Sequence, residues 1–506
     1  MSDPPDEPAA PAQPAASSAA DQPTAPALPA RRLHPAGAIL SALDDIRNAL
    51  FSVVVLIVLG SRSANFGTIA VLGGLVGAAV AAWVGYMRWR AETYEIADGA
   101  IRHRSGIISP DETVVPLARV HSIDTSQGPV QRIFGIYELH VQTAGGGEKG
   151  EIVLRAVSPA ETARLRAAAG LPEPTTTDLP EWRLSPRGLL LVGLTAPQLG
   201  MLLPLVGGAA ALIDDVLGEG TRNSLADRLP TDTGGILLLI AAAIAAAWLL
   251  SFLGSLVTFA GFSVVRDDDQ LRIRRGFLQR RATSVPLRRI HAVSVAEGPL
   301  RRPLGLCSVR LETAGYGRDP AAARTLFPLL PIGQLDAQLA TLVPALASGS
   351  PTSPQAPAAT APHTPQFQRP PHRAARRYIA PPTLTILLVT VAATLAWPSV
   401  WPAIPILTAL AALAGLTSYR SAGYRIDADR LLLRRGTLTR RTLVARPNHL
   451  QDHSLSQNAF QARAQLANLS ITVASGTNST VAHLDSTAAT TLFNRLRPTS
   501  PSTSQA

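Results

Sequence analysis

Apolar residues in this chain gather into long uninterrupted runs, separated by segments in which apolar and polar positions alternate. Four runs, Ala64 to Met87, Gly188 to Ile213, Gly234 to Phe262 and Val400 to Tyr419, contain no Asp, Glu, Lys, Arg or His. A helix needs ~20 apolar residues to cross a hydrocarbon core of ~30 Å, so each run is long enough to span. A fifth, Ile379 to Trp397, opens with Pro381 and Pro382, expected in its first turn, where a missing N–H is tolerated. The first segment is the weakest, because Ile39 to Gly60 carries Asp44, Asp45 and Arg47 ahead of the apolar stretch Ala49 to Gly60. Either a helix from about Ile46 spans with its polar start at the headgroups, or Pro35 to Asn48 is an interfacial amphipathic helix feeding a short span. The pairing of the later spans favours a span here too.

The segments after each pair of runs read as strands, since Val, Ile, Thr and Leu alternate with polar residues and break at Gly, Asp-Gly or Pro. In the first, Tyr94-Glu-Ile-Ala turns through Asp98-Gly99 into Ala100-Ile-Arg-His-Arg, a hairpin with a favoured turn dipeptide. Strands Glu112 to Pro116, Val120 to Thr125, Tyr137 to Thr143 and Glu151 to Val157 follow. Ser158 then caps a helix over Pro159 to Ala169, with Glu161 placed for a capping box.

Internal repetition organises the whole chain. Gly106, Val115-Pro116-Leu117, Arg119-Val120-His121, Gly128-Pro129, Arg132, Gly135 and Thr143-Ala144-Gly145 recur 170 residues later. Their counterparts are Gly276, Val285-Pro286-Leu287, Arg289-Ile290-His291, Gly298-Pro299, Arg302, Gly305 and Thr313-Ala314-Gly315. A third copy matches the second at an offset of 160 through Tyr424-Arg-Ile-Asp, Leu431-Leu-Leu-Arg-Arg-Gly436 and Thr437 to Arg441. Beyond that it departs, with Asn458-Ala459 for Gly-Pro and Gln465 for the following glycine, so the turn made there is expected to be lost. The organisation is then a disordered Ala/Pro-rich start (1–30), a helix pair (36–87), a β-domain (94–170), a second pair (188–262) and β-domain (262–344). A Pro-rich linker (347–377), a third pair (379–419), a diverged β-domain (424–497) and a Ser/Thr tail (498–506) complete it. No secretory signal is legible at the N-terminus.

The aromatic-led hairpin ending Arg-Ser-Gly106 or Arg-Arg-Gly276, the Val-Pro-Leu-x-Arg-[Val/Ile]-His block and Gly-Pro-x-x-Arg-x-x-Gly together resemble the YdbS/YdbT-like bacterial pleckstrin-homology (PH) domain proteins. The resemblance covers most of residues 31–497, including the paired helices. It implies an α+β membrane protein in which transmembrane helix pairs alternate with three PH-like, partly open seven-stranded β-barrels, each closed by a C-terminal helix, on the cytoplasmic side. It implies architecture more than activity.

Composition agrees with a membrane chain, at 46% hydrophobic and 16% charged residues. The formal charge of +11 is carried by arginine, since Lys149 is the only lysine. Arginine-for-lysine usage beside heavy alanine and proline fits a GC-rich genome as well as any ligand, and basic charge is expected on cytoplasmic faces, so nucleic acid is not implied. Arg31, Arg32, Arg88, Arg90, Arg420 and Arg425 flank the spans on one side, whereas the opposite loop Asp214 to Asp232 has two arginines against five acids. Positive-inside places the N-terminus and all three β-domains in the cytoplasm, with the spans in the cell membrane. The single cysteine, Cys307, excludes an intramolecular disulfide framework and a multi-cysteine metal site.

No catalytic, metal or cofactor set emerges. His121 and His291 occupy equivalent places, with no nucleophile or carboxylate recurring beside them, and Gln451 replaces them in the third copy, which suits a structural hydrogen-bonding role. Gly128-Pro129 and Gly298-Pro299 read as tight turns, Pro116, Pro286, Gly135 and Gly305 as structural motif positions, and Arg132 and Arg302 as solvated arginines or contacts to lipid or a partner. Arg102/Arg104 and Arg272/Arg274 are guanidinium pairs on one strand face, with Arg275, Arg434 and Arg435 beside the equivalent hairpins. In PH folds this hairpin region is where headgroup phosphates bind, and arginine recognises phosphate bidentately. Gly73, Gly77, Ala81 and Gly85 form a small-residue stripe suited to close helix packing. The reading is a non-enzymatic membrane protein whose β-domains engage proteins or anionic lipid headgroups, with a membrane protein of the same family or a second copy as further partners. The competing class, a transport or export component, is disfavoured by the lack of ionisable groups in the later spans.

Overall fold

A computed structural model of the protein describes residues 28–46, 66–143, 152–171, 181–195, 232–313, 325–346, 367–398, 401–427 and 430–496. The first repeat contains β1 (Leu28–Arg32), the helix Phe66–Ala91, β2 (Thr93–Ala97), β3 (Ala100–Ser105) and β4 (Asp111–Pro116). It continues with β5 (Val120–Gln127), β6 (Tyr137–Thr143), β7 (Ile152–Val157) and the helix Pro159–Ala168. The second contains β8 (Glu181–Arg183), helices Pro186–Leu194 and Thr233–Phe259, then β9 (Ser263–Asp267), β10 (Gln270–Arg275) and β11 (Arg280–Pro286). After these come β12 (Ile290–Glu297), β13 (Leu306–Thr313), β14 (Thr325–Pro331) and the helix Leu335–Leu342. The third contains helices Ala375–Ala396 and Ala403–Ser421, β15 (Gly423–Asp427), β16 (Arg430–Arg435), β17 (Arg440–Ala445) and β18 (Leu450–Ser456). It ends with β19 (Leu466–Val473), β20 (Asn478–Asp485) and the helix Ser486–Leu496.

Local chemistry accounts for these elements. Asp98 and Gly99 both take positive φ (52° and 69°) between β2 and β3, the mirror-image turn whose twist suits a hairpin. Ser158 Oγ accepts from the Glu161 N–H at 3.3 Å to start the closing helix. The expected capping box is not made as read, because the Glu161 carboxylate instead pairs with Arg31 (2.9 Å) and Arg164 (3.4 Å). Each repeat has its own apolar core: Ile101, Leu139 and Leu165 in the first, Leu271, Phe327 and Leu339 in the second, Leu433, Ile471 and Leu492 in the third.

The sheets correct one expectation. They run β1-β2-β3-β4, β7-β6-β5-β11-β10-β9-β8, β14-β13-β12-β17-β16-β15 and β18-β19-β20. The repeats do not close into barrels; β4 and β5 are joined by the 3-10 turn Leu117–Arg119 and lie in different sheets, and β5 pairs with β11 of the next repeat. Likewise β12 pairs with β17. Two seams of backbone hydrogen bonds therefore fasten the three domains into one body.

In each repeat the segment before the helix pair adds to the first hairpin: β1 to β2, β8 to β9, and Gln368 to Tyr424 through two backbone bonds of 2.9 and 3.0 Å. A chain that leaves a sheet and returns to pair with its own departing strand crosses any bilayer an even number of times, so the domains share one side. These contacts also correct two boundaries. Order begins by Leu28 and by Phe367, inside the stretches 1–30 and 347–377 read as disordered; the remainder of those stretches, the tail beyond Leu496, the first segment beyond residue 46 and the third beyond Thr195 lie outside the described residues.

Among the described residues, Leu237–Phe259, His372–Leu395 and Ala403–Ser421 are long and apolar enough to cross a membrane. They leave Leu238, Leu388 and Leu395 largely exposed, which suits lipid rather than water. Pro381 and Pro382 fall inside the helix rather than in its first turn, because the helix already begins at Ala375. Gly415 of the partner helix abuts that point, where a Cβ would lie 2.6 Å from the Tyr378 carbonyl oxygen. From the glycine stripe, Gly85 packs on the backbone of Ser41 and Ala42, whereas Gly73 and Gly77 have open space around them among the described residues; Ala81 is half-buried.

Candidate functional site

The first hairpin of each repeat ends in a turn led by glycine: Gly106-Ile107-Ile108-Ser109, Gly276-Phe277-Leu278-Gln279 and Gly436-Thr437-Leu438-Thr439. These glycines have φ of 105°, 103° and 134°, and a Cβ on any of them would collide with the carbonyl oxygen three residues on. The turns carry exposed apolar tips, with Ile108 97%, Phe277 65% and Leu438 68% accessible. In the second repeat the tip is fixed to a membrane-crossing helix. The Gly276 N–H donates to Ala260 O (2.8 Å) and the Phe277 N–H to Val257 O (2.9 Å), which satisfies carbonyls at the end of Thr233–Phe259. In the third, Thr437 shares a 2.8 Å hydroxyl bond with Ser418, and the Ser421 hydroxyl donates to Gly436 O. The apolar tips of these two repeats thus stand at the C-terminal ends of their long apolar helices.

Beside that point, at the first seam, lies a cavity of 720 Å³. Arg132 and Arg166 line it from the first repeat; Arg272, Arg274, Arg275, Arg280 and Arg281 line it from the second, with Ala260 and Gly261 at the helix end. No Asp or Glu is among the described lining residues. Of the carboxylates nearby, Asp267 pairs with Arg272, and Asp124 accepts from the Ser284 N–H at 3.1 Å. Arg132 donates to Phe277 O (2.9 Å) and Arg166 to Ile123 O (3.0 Å), so both guanidiniums are positioned by backbone. Burial, followed by repulsion from Arg272, holds the Arg166 guanidinium below the ordinary arginine range, with Asp124 opposing and Arg274 adding to the shift. Seven guanidiniums thus share the described lining of one cavity, with Asp124, Asp267 and Glu181 as carboxylates close to it.

The second seam has a counterpart of 690 Å³, lined by Arg301, Arg310, Arg435 and Arg441. Here Glu312 also lines the wall, where it accepts from Ser475 Oγ (3.0 Å) and Thr477 Oγ1 (2.6 Å). The first cavity is the more purely cationic of the two.

The family model of the bacterial PH domain matches residues 46–169, 215–344 and 379–499. The chain belongs to the bacterial PH domain family. Over 477 residues, 88% of this chain and 93% of the relative, it is 25% identical to UPF0699 transmembrane protein YdbT of Bacillus subtilis (strain 168). Over 82 residues, 16% of this chain and 50% of the relative, it is 32% identical to UPF0699 transmembrane protein YdbS of the same organism. With the three long apolar helices, these relatives make it a transmembrane protein carrying the PH module in triplicate.

Within that family framework the arginines singled out by sequence divide. Arg132, Arg272, Arg274 and Arg275 converge on the first cavity and Arg435 on the second. Arg102 does not join them, being held by Asp98 (2.8 Å) and Glu95 (3.8 Å), and Arg104 is exposed on the four-stranded sheet β1–β4. Arg302 is exposed, while its neighbour Arg301 turns inward to Thr195 Oγ1 (2.9 Å) and Pro328 O (3.1 Å). Arg434 stacks over the Phe367 ring at 4.1 Å, and burial above all lowers it to about 10.

Several structural positions also differ from expectation. Gly128 and Pro129 do not make a tight turn; Gly128 is the N-cap and Pro129 the first residue of the short helix Pro129–Ile133. Gly298-Pro299 leads a turn at the same place, and Pro116 and Pro286 each precede a 3-10 turn. The turn at Gly135 and Gly305 (φ 64° in both) survives in the third copy, because Gln465 adopts φ 52° and Asn458 with Gln461 supplies a full capping box. His121 is the second residue of β5. The His291 ring meets His449 edge-on at 5.1 Å, and the buried Nδ1 of each has no hydrogen-bond partner among the described residues. Sequence reasoning missed Arg166, Arg280, Arg281, Arg301, Arg310 and Arg441; the recurrence of Arg280-Arg281 as Arg440-Arg441 was the available signal.

Proposed function

We propose that this membrane protein is a non-enzymatic, headgroup-binding scaffold: its three PH modules lie on the cytoplasmic face of the cell membrane and hold anionic lipid phosphates at the seams between repeats. One observation carries the reading, namely seven arginines around a cavity with no carboxylate among its described lining residues, next to the end of a long apolar helix. Arginine pairs with phosphate oxygens through two parallel N–H donors, and a cluster this dense requires anionic company to be stable. The exposed tips Phe277 and Leu278 support it, since apolar side chains beside basic ones are what an interfacial surface presents to lipid.

The test is retention of lipid by the intact protein purified in mild detergent, read by native mass spectrometry. Each basic side chain near an anionic surface contributes ~1 kcal/mol, so replacing Arg274, Arg280 and Arg281 by Gln should weaken anionic lipid retention by ~10²-fold. Arg463→Gln, on an exposed helix away from both cavities, should leave it unchanged. Equal retention by the triple variant, or equal retention of zwitterionic lipid by the parent, would overturn the proposal. Solute flux through the purified protein in liposomes would favour a transport role instead.

A further inference from the structure

Both seams follow one register. In the first, Gln127 faces Arg280, Ser126 faces Arg281 and Thr125 faces Ala282. In the second, Glu297 faces Arg440, Ala296 faces Arg441 and Val295 faces Thr442, the same positions under the repeat offsets. Among the described residues two half-sheets form no seam. One ends at β4, which occupies the place of β11 and β17; the other ends at β18, which occupies the place of β5 and β12. Side by side, β20-β19-β18 and β4-β3-β2-β1 reproduce the order of the internal seven-stranded sheet, β7-β6-β5-β11-β10-β9-β8.

Among the described residues the edges are open as well as complementary. Only Val115 of β4 is buried and no residue of β18 is, whereas β17, seated in a seam, buries four consecutive residues. The Leu117 N–H donates to Gly99 O at 2.8 Å, and the alternation of an antiparallel ladder then turns the amides of Thr113 and Val115 toward β3 and those of Glu112 and Val114 outward. The equivalent of Val114 in the second repeat, Ser284, uses its outward N–H to bond Asp124 of the repeat before it. A row of unpaired edge amides is a template for another strand.

We propose that β18 of one copy pairs antiparallel with β4 of a second copy of this chain, head to tail, with Ser456 opposite Asp111, Leu455 opposite Glu112 and Ser454 opposite Thr113. A second copy is the fitting occupant because these two surfaces already meet twice within each chain. Each repeat carries its own long apolar segments ahead of its first hairpin, so the operation relating successive repeats keeps the bilayer in place. Applied once more, it sets the next chain in the same membrane on the same side. The contact is not self-complementary, so it yields a ring where the rotation closes and a row where it does not. It lacks the Glu297–Arg440 ion pair, since Gln457 would face Pro110, but the first seam forms without an acid at that position too, with Gln127 there.

The test uses single-cysteine copies of the full chain in native membranes, with buried Cys307 replaced by Ser. Thr113→Cys and Ser454→Cys would sit in a non-hydrogen-bonded pair about 4.5 Å apart at Cα, within disulfide reach. Oxidation should give a two-chain product when the two variants are co-expressed and none with either alone. Leu455→Cys in place of Ser454→Cys should give none, because adjacent strand residues face opposite sides. No two-chain product, an equal product with Leu455→Cys, or linkage of Ser454→Cys to a different protein would overturn the proposal. The cysteine-free question is answered by the mass of the unmodified protein in lipid nanodiscs, where one chain per particle overturns it and two or more supports it.

Discussion

Replacing Glu297 by Gln should open the second seam while leaving the first intact. The Glu297 carboxylate is 8% accessible and binds Arg440 bidentately, through Nε at 2.8 Å and through Nη2, across β12 and β17. Breaking a buried pair from one side costs ~3–5 kcal/mol, because the remaining charge is left without compensation. Arg440 keeps 23% of its side chain in water, which recovers part of that loss, so about 2 kcal/mol remains. That corresponds to roughly thirtyfold in a local opening constant. Hydrogen–deuterium exchange of the β12 and β17 amides reads this opening directly. The double variant Glu297→Leu/Arg440→Met should recover most of the protection, since it removes both desolvated charges together. At the first seam Gln127 and Arg280 occupy the same positions without an ion pair, so Gln127→Ala should alter β5 and β11 exchange little. Unchanged protection in β12 and β17, or equal acceleration at both seams, would refute the reasoning.

Two further outcomes follow from local geometry. Gly276→Ala forces a side chain into φ 103° and against the Gln279 carbonyl, so it should lower the thermal midpoint more than Gly99→Ala, where φ is 69° and the space is open; strain of this kind costs ~1–3 kcal/mol. Burial, with His449 and Arg289 adding to it, lowers the His291 pKa from 6.5, and burial with Arg446 lowers that of His449. The folded state then binds fewer protons than the unfolded state, so the stabilisation is present above about pH 6.5 and is lost as pH falls below it. Thermal midpoints should drop between about pH 7.5 and about 5.5, and the drop should shrink in His449→Asn; identical slopes in parent and variant would contradict the assignment.

Much of the fold is legible in the residues. Charge-free runs mark the helices because no other sequence tolerates hydrocarbon, and Asp98-Gly99 marks its hairpin because few dipeptides adopt two positive φ angles. What alternation does not reveal is which neighbour a strand meets. The seams pair strands some 150 residues apart, and the PH resemblance led to three separate, partly open barrels where the sheets are in fact shared. A signal was nevertheless present: Leu443, Val444 and Ala445 are apolar on both faces, as a central strand requires, whereas Gln451, Asp452, Ser454 and Ser456 are those of an edge. The arginine cavity was half legible for the same reason. Its hairpin arginines stand out by spacing, but Arg166 and Arg280 reach the site only through the closing helix and through the strand at the seam.

The shared sheets also separate structural continuity from chain continuity. No described strand pair or domain core depends on the peptide bonds between Leu346 and Phe367, yet the pieces on either side are fastened by Ala292 to Glu297 of β12 against the whole of β17. A chain cut there by a protease should travel through purification as a two-piece protein, and the pieces should part only under denaturant.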